Sequence, residues 1–130
     1  GTVRSFEPEV QDVIEAALRQ VVDGVAAANG VEARVVYDRY YPATINDADA
    51  AADVLEVAAT VGTAELAPEP APTSEDFSFM LQQRPGAYIW LGQATHDHAA
   101  PLHNPHYDFN DNVLETGVKL HVALVRHWLR

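Results

Sequence analysis

The chain has 130 residues, enough for one ordinary domain or for two pieces of a larger enzyme, and its 48% hydrophobic and 21% charged residues suit a soluble globular protein. A formal net charge of −11 argues against a nucleic-acid or anionic-membrane partner, because such a footprint needs clustered Lys and Arg. With no cysteine there is no disulfide framework and no thiolate metal site, a composition that fits a cytoplasmic protein, and no run approaches the roughly 18 apolar residues of a transmembrane helix.

The opening residues, Gly1-Thr2-Val3-Arg4-Ser5-Phe6, alternate weakly between apolar and polar and predict a short strand. They have no signal-peptide character and no initiator Met, so they read as the continuation of a longer polypeptide. Pro8 then opens a helix at a permitted first-turn position, with Glu7 and Glu9 favourable at its positive end. Val10, Val13, Ile14, Ala17, Leu18, Val21, Val22 and Val25 follow helical spacing, and Asn29-Gly30 supplies a left-handed stop. From Val31 to Tyr37 the period becomes two, with Val31, Ala33, Val35 and Tyr37 on one face, which predicts a half-exposed strand. Residues 1–37 thus read strand-helix-strand. Pro42 breaks the pattern.

A second helix is expected from about Asp47 to Val61, with Gly62 ending it. The Pro-rich residues 67–72 form a stiff connector, and Thr73 three residues before Asp76 marks a short helix through about Gln83. Arg84-Pro85-Gly86 turns the chain into Ala87-Tyr88-Ile89-Trp90-Leu91, an apolar run that predicts a strand covered on both faces. A long loop over about 93–111 leads to a final helix from about Val113 to Leu129. Trp90 and Trp128 are core candidates, and His121 and His127 belong to the flank or core of that last helix. The fold class expected from these elements is α/β (α+β).

The loop residues Pro101-Leu102-His103-Asn104-Pro105-His106-Tyr107-Asp108-Phe109-Asn110-Asp111 concentrate imidazole, amide and carboxylate groups between a strand and a helix. A neutral imidazole suits zinc, and a carboxylate or carbonyl can orient its second nitrogen, so His103 is a candidate ligand. The competing reading is a polar loop whose His, Asn and Asp satisfy turns and a helix cap. His96 and His98, in Gln93–Ala100, could chelate a transition metal on an extended chain or simply be solvated. Glu75 and Asp76 read first as the dipole-complementing start of a helix, with a substrate-facing role as the alternative.

The run Pro-Leu-His-Asn-Pro-x-Tyr-Asp-Phe-Asn-Asp resembles the carboxyl-terminal motif of the zinc-dependent amidohydrolases, the aminoacylase-type metallopeptidases that include hippurate hydrolases and the N-acyl-amino-acid and indole-acetyl-amino-acid hydrolases. Gly1–Phe6, Tyr41-Pro42-Ala43-Thr44-Ile45-Asn46-Asp47, Ser74-Glu75-Asp76-Phe77 and Pro85–Gly92 are similar to further segments of that family in the same order. The insertion Gln93–Ala100 departs from its pattern.

The resemblance implies that residues 1–44 are the second half of a ferredoxin-like lid or dimerisation domain. Residues 45–130 would be the last helix-strand-helix segment of an α/β zinc-peptidase-like catalytic domain. It implies His103 as a zinc ligand, Arg4 and Asn104 as substrate-binding groups, and Tyr107, Asp108 and Asp111 as support for the loop. It implies two divalent metals in the full enzyme, zinc by default with Mn, Co or Ni as options, a small N-acyl amino acid as substrate, and a homodimer formed through the lid. The family's His-Asp-Gly-His motif and Glu-Glu pair are absent from this sequence. A metal-activated water taken up by a carboxylate base is therefore not expected from this segment alone, which could equally be metal-free. Two rivals are a non-catalytic dimerisation or binding module and a metal-binding protein built on the histidine-rich loop.

Overall fold

The clearest helical pattern in the sequence becomes the longest element. In the computed structural model, which describes residues 1–129, helix α1 runs Pro8–Asn29. Gly30 closes it at φ 65°, and the Gly30 and Val31 N–H groups donate to the carbonyls of Ala27 and Ala26. Helix α2, Ala48–Ala59, starts where Asp47 accepts a hydrogen bond from the Ala50 N–H at 2.9 Å, and it stops two residues short of the expected end. Helix α3 is the short Phe77–Leu81, beginning after the Thr73 signature rather than at it. A 3-10 turn, Asp111–Val113, leads into α4, Leu114–Trp128. Among the described residues no helix is long and apolar enough to cross a membrane.

The expected α/β (α+β) fold class is corrected by this structure: the regular elements are helical, and no strand occurs among the described residues. Residues 1–6, 31–37 and 87–91 all lie outside regular structure. Alternating apolar residues make an extended backbone favourable, but a strand exists only when a second backbone supplies the partners for its N–H and C=O groups. At Tyr88 and Val35 side chains supply some of them. The Asn46 amide donates to the Tyr88 carbonyl at 2.9 Å and accepts from the Tyr88 N–H at 2.8 Å, occupying both groups a ladder would use. The Arg19 guanidinium takes the Val35 carbonyl at 3.2 Å. The double covering expected for 87–91 fails as well, since Ile89, Trp90 and Leu91 are exposed. Neither Trp90 nor Trp128 is core: they are 55% and 51% exposed.

The chain divides into two compact units, 1–45 with 69–84 and 46–68 with 85–130. In the second, α2 packs on α4 through Val54, Val57, Leu120 and Leu124, with Ala58, Ala87 and Ala123 partly buried against them. Trp128 lies at the edge of that seam, and its indole N–H donates to Asp53 at 3.1 Å. In the first unit a charged network lies on α1. Glu15 binds Arg19 at 2.7 Å and Arg39 at 2.9 Å, and Arg39 also reaches Asp12 at 2.6 Å. Both guanidinium groups hold the Glu15 carboxyl below its ordinary range, with the hydrogen bond from Arg19 the larger cause. Tyr41 stacks at a tilt on Phe79, 5.8 Å between ring centres, and Ser78 is fully buried with its hydroxyl donating to the Glu75 carbonyl.

Candidate functional site

The histidine-bearing loop of the second unit is pinned at its neck by two amides. Asn110 is buried, its N–H donates to Gln93 Oε1 at 2.7 Å, and its own Nδ2 donates to the Gln93 carbonyl at 3.0 Å. Its Oδ1 accepts from the Asn112 N–H and so caps the 3-10 turn. Sequence reasoning did not single out Asn110 or Gln93. An Asn directly ahead of a helix start is an N-cap signal that could have found the first, but nothing in the pattern identifies the second.

Within the loop, Asn104 makes a local turn. Its N–H donates to the Pro101 carbonyl, its carbonyl accepts from the Tyr107 N–H at 2.9 Å, and its Oδ1 accepts from the His106 N–H at 2.9 Å. The residue before it, His103, has φ 66°, and it is the one non-glycine residue with positive φ among those described. Histidine tolerates that left-handed region better than most residues, but it stays there only where its surroundings over-determine it. His103 is exposed. Tyr107 is half-buried, while Asp108 and Asp111 are exposed, Asp111 as the first residue of the 3-10 turn. His98 is mostly covered, with its Nδ1 3.2 Å from the Asp108 carbonyl, whereas His96 is fully exposed and meets only Asp97 at 3.1 Å. The structure thus gathers His98, His103, Asn104, Tyr107 and Asp108 on one loop.

The other candidate residues lie in the first unit. There an Arg4 Nη1 donates to Ser74 Oγ, next in sequence to Glu75 and Asp76. Glu75 offers its carbonyl to Ser78, and Asp76 stands at the N-cap position of α3 without a capping side-chain bond. A groove of about 470 Å³ between α2 and α4 is lined by Glu56, Lys119, Arg126 and His127 among others, and it includes no histidine of the 93–110 loop.

A zinc or similar centre takes three or four donors. Among the described residues no three of His, Cys, Asp and Glu converge to hold a metal ion, so this donor set does not by itself fit a complete centre.

The sequence model for peptidase family M20/M25/M40 matches residues 3–127. The chain is 29% identical over 114 residues to N-acetylcysteine deacetylase of Bacillus subtilis (strain 168), covering 88% of this chain and 29% of that protein. It is 28% identical over 127 residues to thermostable carboxypeptidase 1 of Saccharolobus solfataricus, covering 95% and 32%. With N-acetyldiaminopimelate deacetylase of Bacillus licheniformis it shares 29% identity over 124 residues, again covering 95% and 32%. The chain therefore spans about a third of the length of these curated relatives. No solved structure gives a significant match.

Proposed function

The chain belongs to peptidase family M20/M25/M40, a family of metal-dependent amidohydrolases and peptidases, and from that membership we propose that it is a ligand- and substrate-binding portion of an enzyme that hydrolyses N-acyl amino acids, non-catalytic by itself. Relatives named as deacetylases and as a carboxypeptidase support an amide or peptide bond next to an amino acid as the target. The observation that carries the reading is the left-handed His103 on a hydrogen-bonded turn, a costly conformation for a residue with no packing role. His103 would give one imidazole nitrogen to a divalent metal, zinc by default, in a protein of the relatives' length. When bound, such a metal polarises a carbonyl and acidifies water. Arg4 would meet the substrate carboxylate with its guanidinium fork, and Asn104, whose Oδ1 is already used in its turn, would contribute its Nδ2. Residues 1–44 would belong to the dimerisation part of the enzyme and 45–130 to its catalytic part.

The test has two arms. In a protein of the relatives' length, His103→Ala should abolish hydrolysis of an N-acyl amino acid such as N-benzoylglycine and halve the bound metal. Full activity with both metals retained would sink the assignment. The 130-residue chain alone, supplied with zinc, should not turn over N-benzoylglycine, and measurable hydrolysis would remove the non-catalytic half of the proposal.

A second reading is favoured by one observation. Val10, Val13, Val21 and Val25 of α1 are 48–68% exposed, more apolar surface than a solvated helix face needs. On that reading the chain is a dimerisation module, and sedimentation would show a dimer that Val13→Lys and Val21→Lys convert to monomer.

A further inference from the structure

A stretch as long as residues 93–110 with no regular structure of its own is ordinarily either functional or disordered. This one is closed at the neck by the Gln93–Asn110 bonds, and a second closure lies further along. His98 places Nδ1 3.2 Å from the Asp108 main-chain carbonyl and 3.4 Å from its carboxylate Oδ2. Both are acceptors, so the hydrogen of a neutral ring must sit on Nδ1, and the ring donates. Burial separates His98 from its neighbour: its side chain is 22% exposed, against 100% for His96. Here one ring packs and donates inward while the other stays in water.

We propose that His98 is a positioning residue for His103: its Nδ1–H, held by Asp108, braces the loop so that the turn from Pro101 to Tyr107 keeps His103 in its left-handed conformation. The purpose assigned to this brace rests on the reading of His103 as a metal ligand. The segment between 98 and 108 contains that whole turn, whose internal bonds come from Asn104 alone. Tying its two ends together removes the freedom that would otherwise let His103 relax to negative φ. The same donation from Nδ1 to a carbonyl is how ligating imidazoles are usually oriented. In this loop it orients chain rather than metal.

The experiment uses the whole 130-residue chain labelled with ¹⁵N. Ring nitrogen shifts identify the His98 tautomer, and backbone relaxation reports the order of residues 102–107. We expect the Nδ1–H tautomer and rigid order parameters of about 0.85 in the native sequence, falling below about 0.6 in His98→Ala. His98→Asn, whose amide N–H stands near the position of Nδ1, should restore most of the order. A native ring protonated on Nε2, or a loop equally ordered in His98→Ala, overturns the proposal. The tautomer result is obtained on the native chain, so it holds even if a variant fails to fold. The metal content of His103→Ala in a protein of the relatives' length reads the ligand assignment separately: both metals retained there, with the brace intact here, remove that assignment and leave the bracing of the turn by His98 supported.

Discussion

Residues 46–68 with 85–130 bury four apolar side chains at one helix–helix seam, whereas residues 1–45 with 69–84 bury a single apolar residue, Ala26, and surround α1 with charged contacts instead. The α1 helix is nearly twice as long as α2, at 22 residues against 12, so helix length is not what makes a core. A seam needs a second apolar surface of matching spacing, and α4 provides it for α2. In the first unit the surfaces near α1 present Arg39 and the Val35 carbonyl, and the helix answers with Asp12, Glu15 and Arg19. The two regions should therefore respond to different perturbations.

The sharpest separation is expected from cavity creation. Leu124→Ala should lower stability by about 2–4 kcal/mol, read as a fall in the urea midpoint, because it removes a side chain that is 8% exposed at the centre of the seam. The matching truncation in α1, Val13→Ala, should change stability by no more than about 0.5 kcal/mol, since Val13 is 68% exposed. Equal effects would dissolve the distinction between the units. A smaller loss, about 1 kcal/mol, is expected for Asp47→Ala, which leaves the first turn of α2 without its acceptor. Asp47→Asn should recover most of it, as the amide oxygen still accepts.

The mildest test is acid. Glu15 is a carboxyl whose pKa is lowered in the folded chain by Arg19 and Arg39, so its contribution is fully present above its ordinary 4.5 and is lost as the pH falls through the lowered folded value. Titration followed at the Glu15 carboxyl carbon should give a midpoint below 4.5 that moves back toward it in Arg19→Gln. The α2–α4 seam should show no loss in the same window attributable to that pair. Added salt should weaken the Glu15 contacts and leave Leu124 packing unchanged.

What the sequence disclosed follows from how local each signal is. The α1 pattern, the Gly30 stop and the start of α2 near Asp47 depend on residues within a turn or two of one another, and they appear where the spacing places them. The strands depended on partners far along the chain, and periodicity carries no information about a partner. Periodicity therefore points to strands at 31–37 and 87–91 and to a core position for Trp90, where the structure has neither. The loop tells the same story at smaller scale. His103, Asn104 and Asp108 stood out by residue type, and their turn is local enough to be anticipated from Asn-Pro. The closures by Gln93 and His98 join residues ten or more positions apart, and residue type points to His98 as a possible chelator beside His96 rather than as a brace.

The Asn46 clamp on Tyr88 has a chemical consequence of its own. One primary amide stands in for a whole backbone unit, lending a donor to the Tyr88 carbonyl and an acceptor to its N–H across 42 positions of sequence. Such a stand-in works only while it remains an amide. Hydrolysis of that amide to aspartate would keep the acceptor but set a carboxylate oxygen against a carbonyl oxygen in place of the donor, and the joint would lose half of its hold.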